Sequence, residues 1–307
     1  MVKNLLFRSF YSKDADSRNE KTKKFTGLST RKNSYKGHTP LNLVRETYLG
    51  LPVEALVCIP VILDKPPGME ESLLIMWNVT KDEIQNLVSS IDYSEVLTIT
   101  ASEADVVEAC KTARTFGFRA VVAFPQFLGI LVDELKGSGV RAQIPVGFPC
   151  GGVTTRVKCV EAEEGLKRGA TDLDMVMNIA AFKAKEYGKV RKDIEEVLSV
   201  ARPFKVPFKV IIEIGVLTDD EIVNAAKLVA DTGADFVKTC TGFGPGRATC
   251  HAIELIKEAA GDRVKIKASG GVASIEDGIA FMRSGASVVA MRKHLVEQLE
   301  RIGWKGK

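Results

Sequence analysis

A regular alternation of strand-like and helix-like segments from about Thr80 onward is the feature that most limits the fold of this chain. Short apolar runs are separated by amphipathic stretches of roughly 10–15 residues, a pattern typical of βαβ units and a parallel sheet. Eight such units favour a closed TIM-type (β/α)8 barrel over a doubly wound open sheet, which usually has fewer strands. The predicted strands are one within Ile91–Thr100, then Arg119–Phe124, Val140–Val146, Thr171–Met177, Phe208–Ile214, Ala234–Thr239, Val264–Ala268 and Ser287–Met291.

Several of the intervening segments begin with a hydroxyl residue that is followed three positions later by an acidic residue. In this spacing the hydroxyl can accept a hydrogen bond from the third amide while the acid accepts one from the capping amide. The pattern therefore predicts four helix starts: Thr80/Glu83, Ser102/Asp105, Thr218/Glu221 and Ser274/Asp277.

The first 79 residues do not share this alternation. Residues 1–40 carry ten Lys or Arg and three Asp or Glu, with few large apolar side chains, which predicts a basic, disordered arm. Residues 41–79 show no sustained periodicity, and we expect them to form an extension that packs on a barrel spanning residues 80–307. The start of the chain faintly resembles a mitochondrial presequence, although acidic residues follow at once.

The composition argues against several classes of protein. No apolar run reaches the roughly 18 residues that a transmembrane helix needs. The six cysteines include no C-x-x-C pair, and the three histidines form no H-E-x-x-H motif, so neither a disulfide framework nor a catalytic metal is expected. These features predict a cytoplasmic protein, with a mitochondrial location as the alternative, whose chemistry comes from Lys, Asp, Glu and backbone groups.

Three charged residues stand out within the predicted apolar strands: Asp174, Lys238 and Lys267. A buried charge needs a partner, and a structural ion pair between Asp174 and one lysine would leave the other lysine in excess. In the alternative interpretation, the charge of one lysine keeps the other neutral. A neutral amine adds to a carbonyl carbon and gives an iminium, which allows a nearby carbon–carbon bond to break or form. Asp174 and the charged lysine could then order a water molecule for proton transfer.

Clusters of glycine follow both strands that carry a lysine. Loops after the last strands of such barrels commonly bind phosphate through backbone N–H groups, although most loop glycines only make turns. Two clusters in these positions predict a phosphate site beside the lysines, with Gly242, Gly244 and Gly246 after one strand and Gly270 and Gly271 after the other.

Five stretches between residues 90 and 290 carry a more specific signature: GSGVRAQIPVGFPCGG, GATDLDMVMNIAAFK, KVIIEIGVLTDDEI, GADFVKTCTGFGPGRAT and VKIKASGGVASIEDG. They resemble the deoxyribose-phosphate aldolases, class I aldolases on a TIM barrel. The resemblance implies that Lys238 forms the Schiff base, that Lys267 perturbs it and that Asp174 takes part in the proton relay. It further implies that 2-deoxyribose 5-phosphate is interconverted with acetaldehyde and glyceraldehyde 3-phosphate, without a metal or organic cofactor.

Three segments depart from the family pattern. The first strand keeps Asp92 but requires a gap, and the second has Val122 and Phe124 where the family often has a cysteine and an asparagine. At the eighth strand, Arg292 and Lys293 stand where the family has two small hydroxyl residues. These two cations could hold a phosphate by charge-assisted bonds, or they could point into solvent.

The altered segments leave two alternatives to a deoxyribose-phosphate aldolase. One is a related Schiff-base aldolase that acts on a different (phospho)sugar, and the other is a catalytically silent phosphosugar-binding barrel. A nucleic-acid-binding role would rest only on the charge of residues 1–40. The expected partners are a small phosphosugar and an aldehyde, not a nucleic acid or a membrane, and the chain could form a homo-oligomer.

Overall fold

Eight parallel strands form a closed barrel in the computed structural model, which describes residues 79–306. Each strand pairs with its neighbours in chain order, and the last strand pairs with the first. The predicted arm, and the predicted extension except for Val79, lie outside the described residues. The strands are β1 (Ile91–Tyr93), β2 (Ala120–Val122), β3 (Arg141–Val146), β4 (Asp172–Val176), β5 (Phe208–Ile211), β6 (Phe236–Lys238), β7 (Lys265–Ala268) and β8 (Val288–Met291).

Helices separate the strands and cover the outside of the barrel, where apolar helix faces are buried against the outer residues of the strands. Four short 3-10 helices also lie between the strands, at Pro125–Phe127, Arg202–Phe204, Ile214–Val216 and Gly261–Arg263. The helices are α1 (Lys81–Ser89), α2 (Glu103–Phe116), α3 (Leu128–Leu135), α4 (Thr155–Lys167), α5 (Ile179–Lys183), α6 (Tyr187–Ala201), α7 (Asp219–Thr232), α8 (Cys250–Ala260), α9 (Ile275–Ser284) and α10 (Lys293–Arg301).

All four predicted helix starts are present, and three have both hydrogen bonds of the capping box. These three begin α1, α2 and α7. At the start of α9, the Ser274 hydroxyl accepts from the Asp277 amide, but the Asp277 carboxylate accepts from the Ala273 amide. The acid at this position therefore satisfies the amide one residue earlier than the pattern predicts.

All eight predicted strands occur, and most of them are shorter than predicted. β5 is three residues shorter at its carboxyl end, because it ends at Ile211 and not at Ile214. Glu213 has a φ of 55°, a left-handed conformation that an extended strand does not have. The apolar sequence continues past the strand because these residues still pack in the core after the backbone has turned.

Parallel pairing brings the charged strand residues side by side. Lys238 on β6 is the register partner of Lys267 on β7, and Asp174 on β4 is the register partner of Lys209 on β5. The five cysteines within residues 79–306 are free, and no helix in this part of the chain is long and apolar enough to cross a membrane.

Candidate active site

The barrel interior contains seven charged side chains in mutual contact, which we call the interior cluster. All are almost fully buried except Arg119, whose side chain is 15% exposed. The strands supply them from neighbouring positions around the barrel. The members are Asp92, Arg119, Asp172, Asp174, Lys209, Lys238 and Lys267.

One oxygen of Asp174 joins the three residues that the sequence singles out. Its Oδ2 lies 2.7 Å from the Nζ of Lys238 and 2.7 Å from the Nζ of Lys267. The other oxygen, Oδ1, lies 3.2 Å from the Nζ of Lys209. The two strand lysines therefore share a single carboxylate oxygen, so a proton lost by one of them leaves the other as its ion-pair partner.

The remaining contacts extend this network toward the other end of the barrel. Lys267 Nζ lies 2.5 Å from Asp92 Oδ2, and Arg119 donates to the other oxygen of Asp92. Arg119 also donates to Asp172 at 2.5 Å, and Lys209 contacts the same carboxylate. One guanidinium thus connects two buried carboxylates.

The sequence analysis did not identify Arg119, Asp172 and Lys209 as part of the site. Asp172 and Asp174 are two residues apart on one strand, and such residues face the same side. That alternation was the signal that could have placed Asp172 in the interior. Lys209 and Arg119 give a weaker signal, since a single cation in or next to a strand can as easily lie at the rim of the barrel.

The cluster has an unequal number of charged groups. It contains three carboxylates and four cations, and the cations are Arg119, Lys209, Lys238 and Lys267. With every group ionised, a buried excess of one positive charge would be unfavourable. Lys238 has one carboxylate oxygen as its ion-pair partner, and it shares that oxygen with Lys267.

The cations keep two of the carboxylates ionised. Burial alone would raise the pKa of Asp174, but Lys238, Lys267 and Lys209 hold it well below its usual value. Burial has the same tendency at Asp92, where Lys267 and Arg119 outweigh it and lower the pKa. Both groups therefore act as permanent acceptors near neutral pH.

A cavity of about 380 Å³, which we call the lysine cavity, opens at the carboxyl ends of the strands above Lys238 and Lys267. Its wall includes Val122 of β2 and Thr241 and Ser269 from the loops after β6 and β7. A volume of this size suits a small metabolite. Within residues 79–306, no group of three His, Cys, Asp or Glu side chains is placed to hold a metal ion.

Of the five predicted glycines, Gly242, Gly270 and Gly271 line the lysine cavity, and Gly244 and Gly246 do not. Gly270 has a φ of 93°, and a Cβ there would lie 2.8 Å from the Cβ of Cys240. Gly271 has a φ of 69°, and a Cβ there would lie 2.6 Å from the Cβ of Arg247. Only glycine fits these two positions without strain, so the backbone itself forms this part of the wall.

The structure separates the predicted pair of cations. Arg292 lines the lysine cavity, whereas Lys293 is the exposed first residue of α10 and donates its amide to Glu95 at 2.9 Å. His294 also lines the cavity, and its Nε2 lies 3.0 Å from the carbonyl oxygen of Val272. The sequence analysis missed this histidine because it lies on a helix with no motif around it.

A buried carboxylate fixes the loop that follows Lys238. Glu213 accepts from both the amide and the hydroxyl of Thr241. The same hydroxyl oxygen accepts from the amides of Phe243 and Gly244 at 3.0 and 3.3 Å. Glu213 thereby holds the wall of the cavity nearest to Lys238 in one conformation.

The sequence profile of the DeoC/LacD family aldolases matches residues 88–299 of the chain. The chain belongs to this family. Among its relatives, the deoxyribose-phosphate aldolase of Caldanaerobacter subterraneus subsp. tengcongensis is 38% identical over 67% of this chain and 90% of the relative. That of Carboxydothermus hydrogenoformans is 41% identical over 66% of this chain and 89% of the relative.

A solved structure shares the fold of this aldolase. The deoxyribose phosphate aldolase of Aeropyrum pernix, described as tetrameric, is 26% identical with a TM-score of 0.67 and covers 78% of this chain and 99% of its own. Family membership identifies the chain as a lyase, and the expectations of a TIM barrel and an aldolase are confirmed.

Proposed function

We propose that this aldolase cleaves and forms 2-deoxy-D-ribose 5-phosphate through a Schiff base on Lys238. The observation that carries the proposal is the single Asp174 oxygen shared at 2.7 Å by Lys238 and Lys267 beneath the lysine cavity. The named activity of the relatives at 38–41% identity supports the choice of substrate. Acetaldehyde and glyceraldehyde 3-phosphate are the products of cleavage.

The reaction begins with addition of uncharged Lys238 to the aldehyde carbon of the open-chain sugar. Loss of water gives an iminium, which accepts the electron pair of the C2–C3 bond as that bond breaks. The C3 hydroxyl gives up its proton and becomes the aldehyde of glyceraldehyde 3-phosphate. The enamine left on Lys238 takes a proton at C2, and hydrolysis of the resulting iminium releases acetaldehyde and the free amine.

Asp174 and Lys267 have complementary roles in these proton transfers. Asp174 stays ionised because three lysines surround it, so it can accept a hydrogen bond from the amine, from the carbinolamine or from an ordered water. Lys267 is held between Asp92 and Asp174, and its charge opposes a second charge on Lys238. The pair therefore favours the nucleophilic form of Lys238 and positions the proton that must move.

The phosphate of the substrate is proposed to bind at the rim formed by Gly242, Gly270, Gly271 and Arg292. Backbone N–H groups in such loops bind phosphate, and Arg292 adds a charge-assisted partner. Lys293 is not expected to contribute, because it is exposed outside the cavity.

One observation favours a second candidate, a Schiff-base aldolase for a different phosphosugar. Val122 and Arg292 both line the lysine cavity at positions where the resemblance implies a cysteine and a small hydroxyl residue. The cavity is therefore more apolar on one side and more cationic on the other than the family pattern implies. A catalytically silent barrel is disfavoured, because it would keep a buried excess of lysine without any use for it.

Release of acetaldehyde from 2-deoxyribose 5-phosphate, compared with unphosphorylated 2-deoxyribose, tests the substrate. We expect Arg292→Ser to lower kcat/KM for the phosphorylated sugar by about 10- to 100-fold, the worth of one charge-assisted hydrogen bond. The matched variant Lys293→Ser should change it by no more than about twofold. Turnover of another phosphosugar but not of this one would select the second candidate, and equal effects of both variants would reject the role of Arg292.

Two further proposals concern the setting of the enzyme. Because the Aeropyrum pernix relative is described as tetrameric, we propose that this chain forms a homo-oligomer, which sedimentation velocity would measure. We also propose that it works in the cytoplasm on small phosphosugars and aldehydes, without a nucleic-acid or membrane partner.

A further inference from the structure

A second cavity of about 670 Å³ opens at the opposite end of the barrel, and we call it the basic cavity. Its wall is formed where strands begin: Arg141 and Lys265 are the first residues of β3 and β7, and Arg119 directly precedes β2. The catalytic end of a TIM barrel is the other end, at the carboxyl ends of the strands. Nothing in the proposed aldolase reaction uses this cavity.

The basic cavity is strongly cationic. Its wall contains only two carboxylates, Asp235 and Asp262, and one of them already accepts from the backbone, because Asp235 bonds the Phe208 amide at 2.8 Å. The wall also contains six cations: Arg119, Arg141, Arg202, Lys205, Arg263 and Lys265.

Within residues 79–306, three of the six cations have no side-chain hydrogen bond or ion pair. Arg119 is bonded to carboxylates of the interior cluster, Arg263 pairs with Asp231 at 2.6 Å, and Arg141 donates to a carbonyl. Among residues 79–306, by contrast, no carboxylate forms an ion pair with Arg202, Lys205 or Lys265. Like charges around one concave surface repel each other, so an anion bound there relieves the repulsion.

We propose that the basic cavity binds a small polyanion that carries a diphosphate group. An organic diphosphate carries about three negative charges near neutral pH, because only its terminal phosphate loses a second proton, with a pKa near 6. This charge offsets most of that of the four wall cations that pair with no carboxylate of residues 79–306: Arg141, Arg202, Lys205 and Lys265. The cavity is large enough for an organic group as well, and apolar wall residues such as Leu198, Val206 and Pro207 lie beside the cations. A phosphorylated metabolite with two linked phosphates fits this chemistry.

Arg119 links the basic cavity to the proposed catalytic lysines. Arg119 lines the cavity, and its guanidinium donates to Asp92, whose other oxygen lies 2.5 Å from Lys267. Negative charge placed near Arg119 favours the protonated state of the lysines in a poorly solvated interior. A bound diphosphate is therefore expected to move imine formation to higher pH. This coupling rests on the proposed function of Lys238, whereas the binding of the diphosphate does not.

Isothermal titration calorimetry of the full chain with sodium pyrophosphate tests the binding. We expect Lys205→Gln/Lys265→Gln to weaken it by about tenfold or more, since each lost charged bond is worth about 1.5–3 kcal/mol. The matched control Lys111→Gln/Lys227→Gln removes two exposed lysines from α2 and α7, outside the cavity, and should bind as the parent does. If pyrophosphate also binds in the lysine cavity, that binding is identified because it is lost in the variant Arg292→Ser.

Several results would overturn the proposal. They are binding unaffected by Lys205→Gln/Lys265→Gln in a variant that keeps the parent circular dichroism, equal weakening in the control, and orthophosphate binding as tight as pyrophosphate. Binding of a single-stranded oligonucleotide through these lysines, without pyrophosphate binding, would assign the surface to nucleic acid instead. Pyrophosphate binding that leaves the pH profile of imine formation unchanged would overturn the coupling to Arg119.

Discussion

At the scale of single residues, the shared Asp174 oxygen makes the charge of each strand lysine depend on the other. If Lys238 is protonated, two almost fully buried ammonium groups compete for one acceptor. If Lys238 is neutral, Lys267 keeps both Asp92 and Asp174 as partners. The second arrangement loses no ion pair of Lys267 and leaves an amine free to react.

Lys267→Leu should therefore move the pH dependence of imine formation to higher pH. Without Lys267, the carboxylate of Asp174 is left to Lys238 and Lys209, which favours the protonated form of Lys238. Lys267→Arg keeps the charge and should keep the parent profile even if the rate falls. The rate of borohydride-trapped adduct at a series of pH values is the measurement, and coincident profiles for the parent and Lys267→Leu would show that the two lysines are uncoupled.

At the scale of elements, the sequence predicted the helix starts and the strands, which depend on local pattern. It missed members of the interior cluster whose place depends on tertiary contacts. Hydroxyl–acid spacing located the helix starts, and apolar runs located the strands, because burial on both faces keeps strand sequences apolar. The predicted end of β5 was wrong because the apolar run continues beyond Glu213, whose backbone is in the left-handed conformation. Arg119 and Lys209 belong to the interior cluster only because strands distant in sequence bring carboxylates to them.

The loop after β7 offers a test at this scale. Gly270→Ala introduces a Cβ 2.8 Å from Cys240 at a φ of 93°, and we expect it to lower the free energy of unfolding by about 1–3 kcal/mol. Gly152→Ala is the matched control, because a Cβ there meets nothing within 4 Å, and it should change stability by less than about 0.5 kcal/mol. Urea denaturation compares the two, and equal stability would mean that the loop adapts without strain.

At the scale of the whole molecule, the charges of the barrel connect its two ends. The lysine cavity lies at the carboxyl ends of the strands, the basic cavity at their amino ends, and the interior cluster lies between them. The ion pairs of the interior cluster depend on carboxylates that stay ionised while buried. Burial outweighs the two cations at Asp172 and raises its pKa, so the acid response is assigned to Asp92 and Asp174.

We expect the free energy of unfolding to fall as the pH drops below about 4, the ordinary aspartate value. The pKa values of Asp92 and Asp174 are lowered in the folded state, so their contribution is complete above the unfolded value and is lost as the pH falls toward the folded one. Urea denaturation at pH 6, 4 and 3 measures this loss. It should persist in about 1 M salt, which screens exposed pairs far more than buried ones, and a loss abolished by salt would assign the effect to surface carboxylates.

Borohydride trapping with acetaldehyde or 2-deoxyribose 5-phosphate, followed by mass spectrometry of the digested protein, tests the central claim most directly. Only an uncharged and accessible amine forms the imine near neutral pH, so the reduced adduct is expected on the peptide that contains Lys238 and on no other. Lys238→Met should abolish it, while Asp174→Asn, if folded, should still be trapped and turn over slowly. An adduct on Lys267 or Lys209, or none at all with either compound, would contradict the assignment of Lys238 as the Schiff-base lysine.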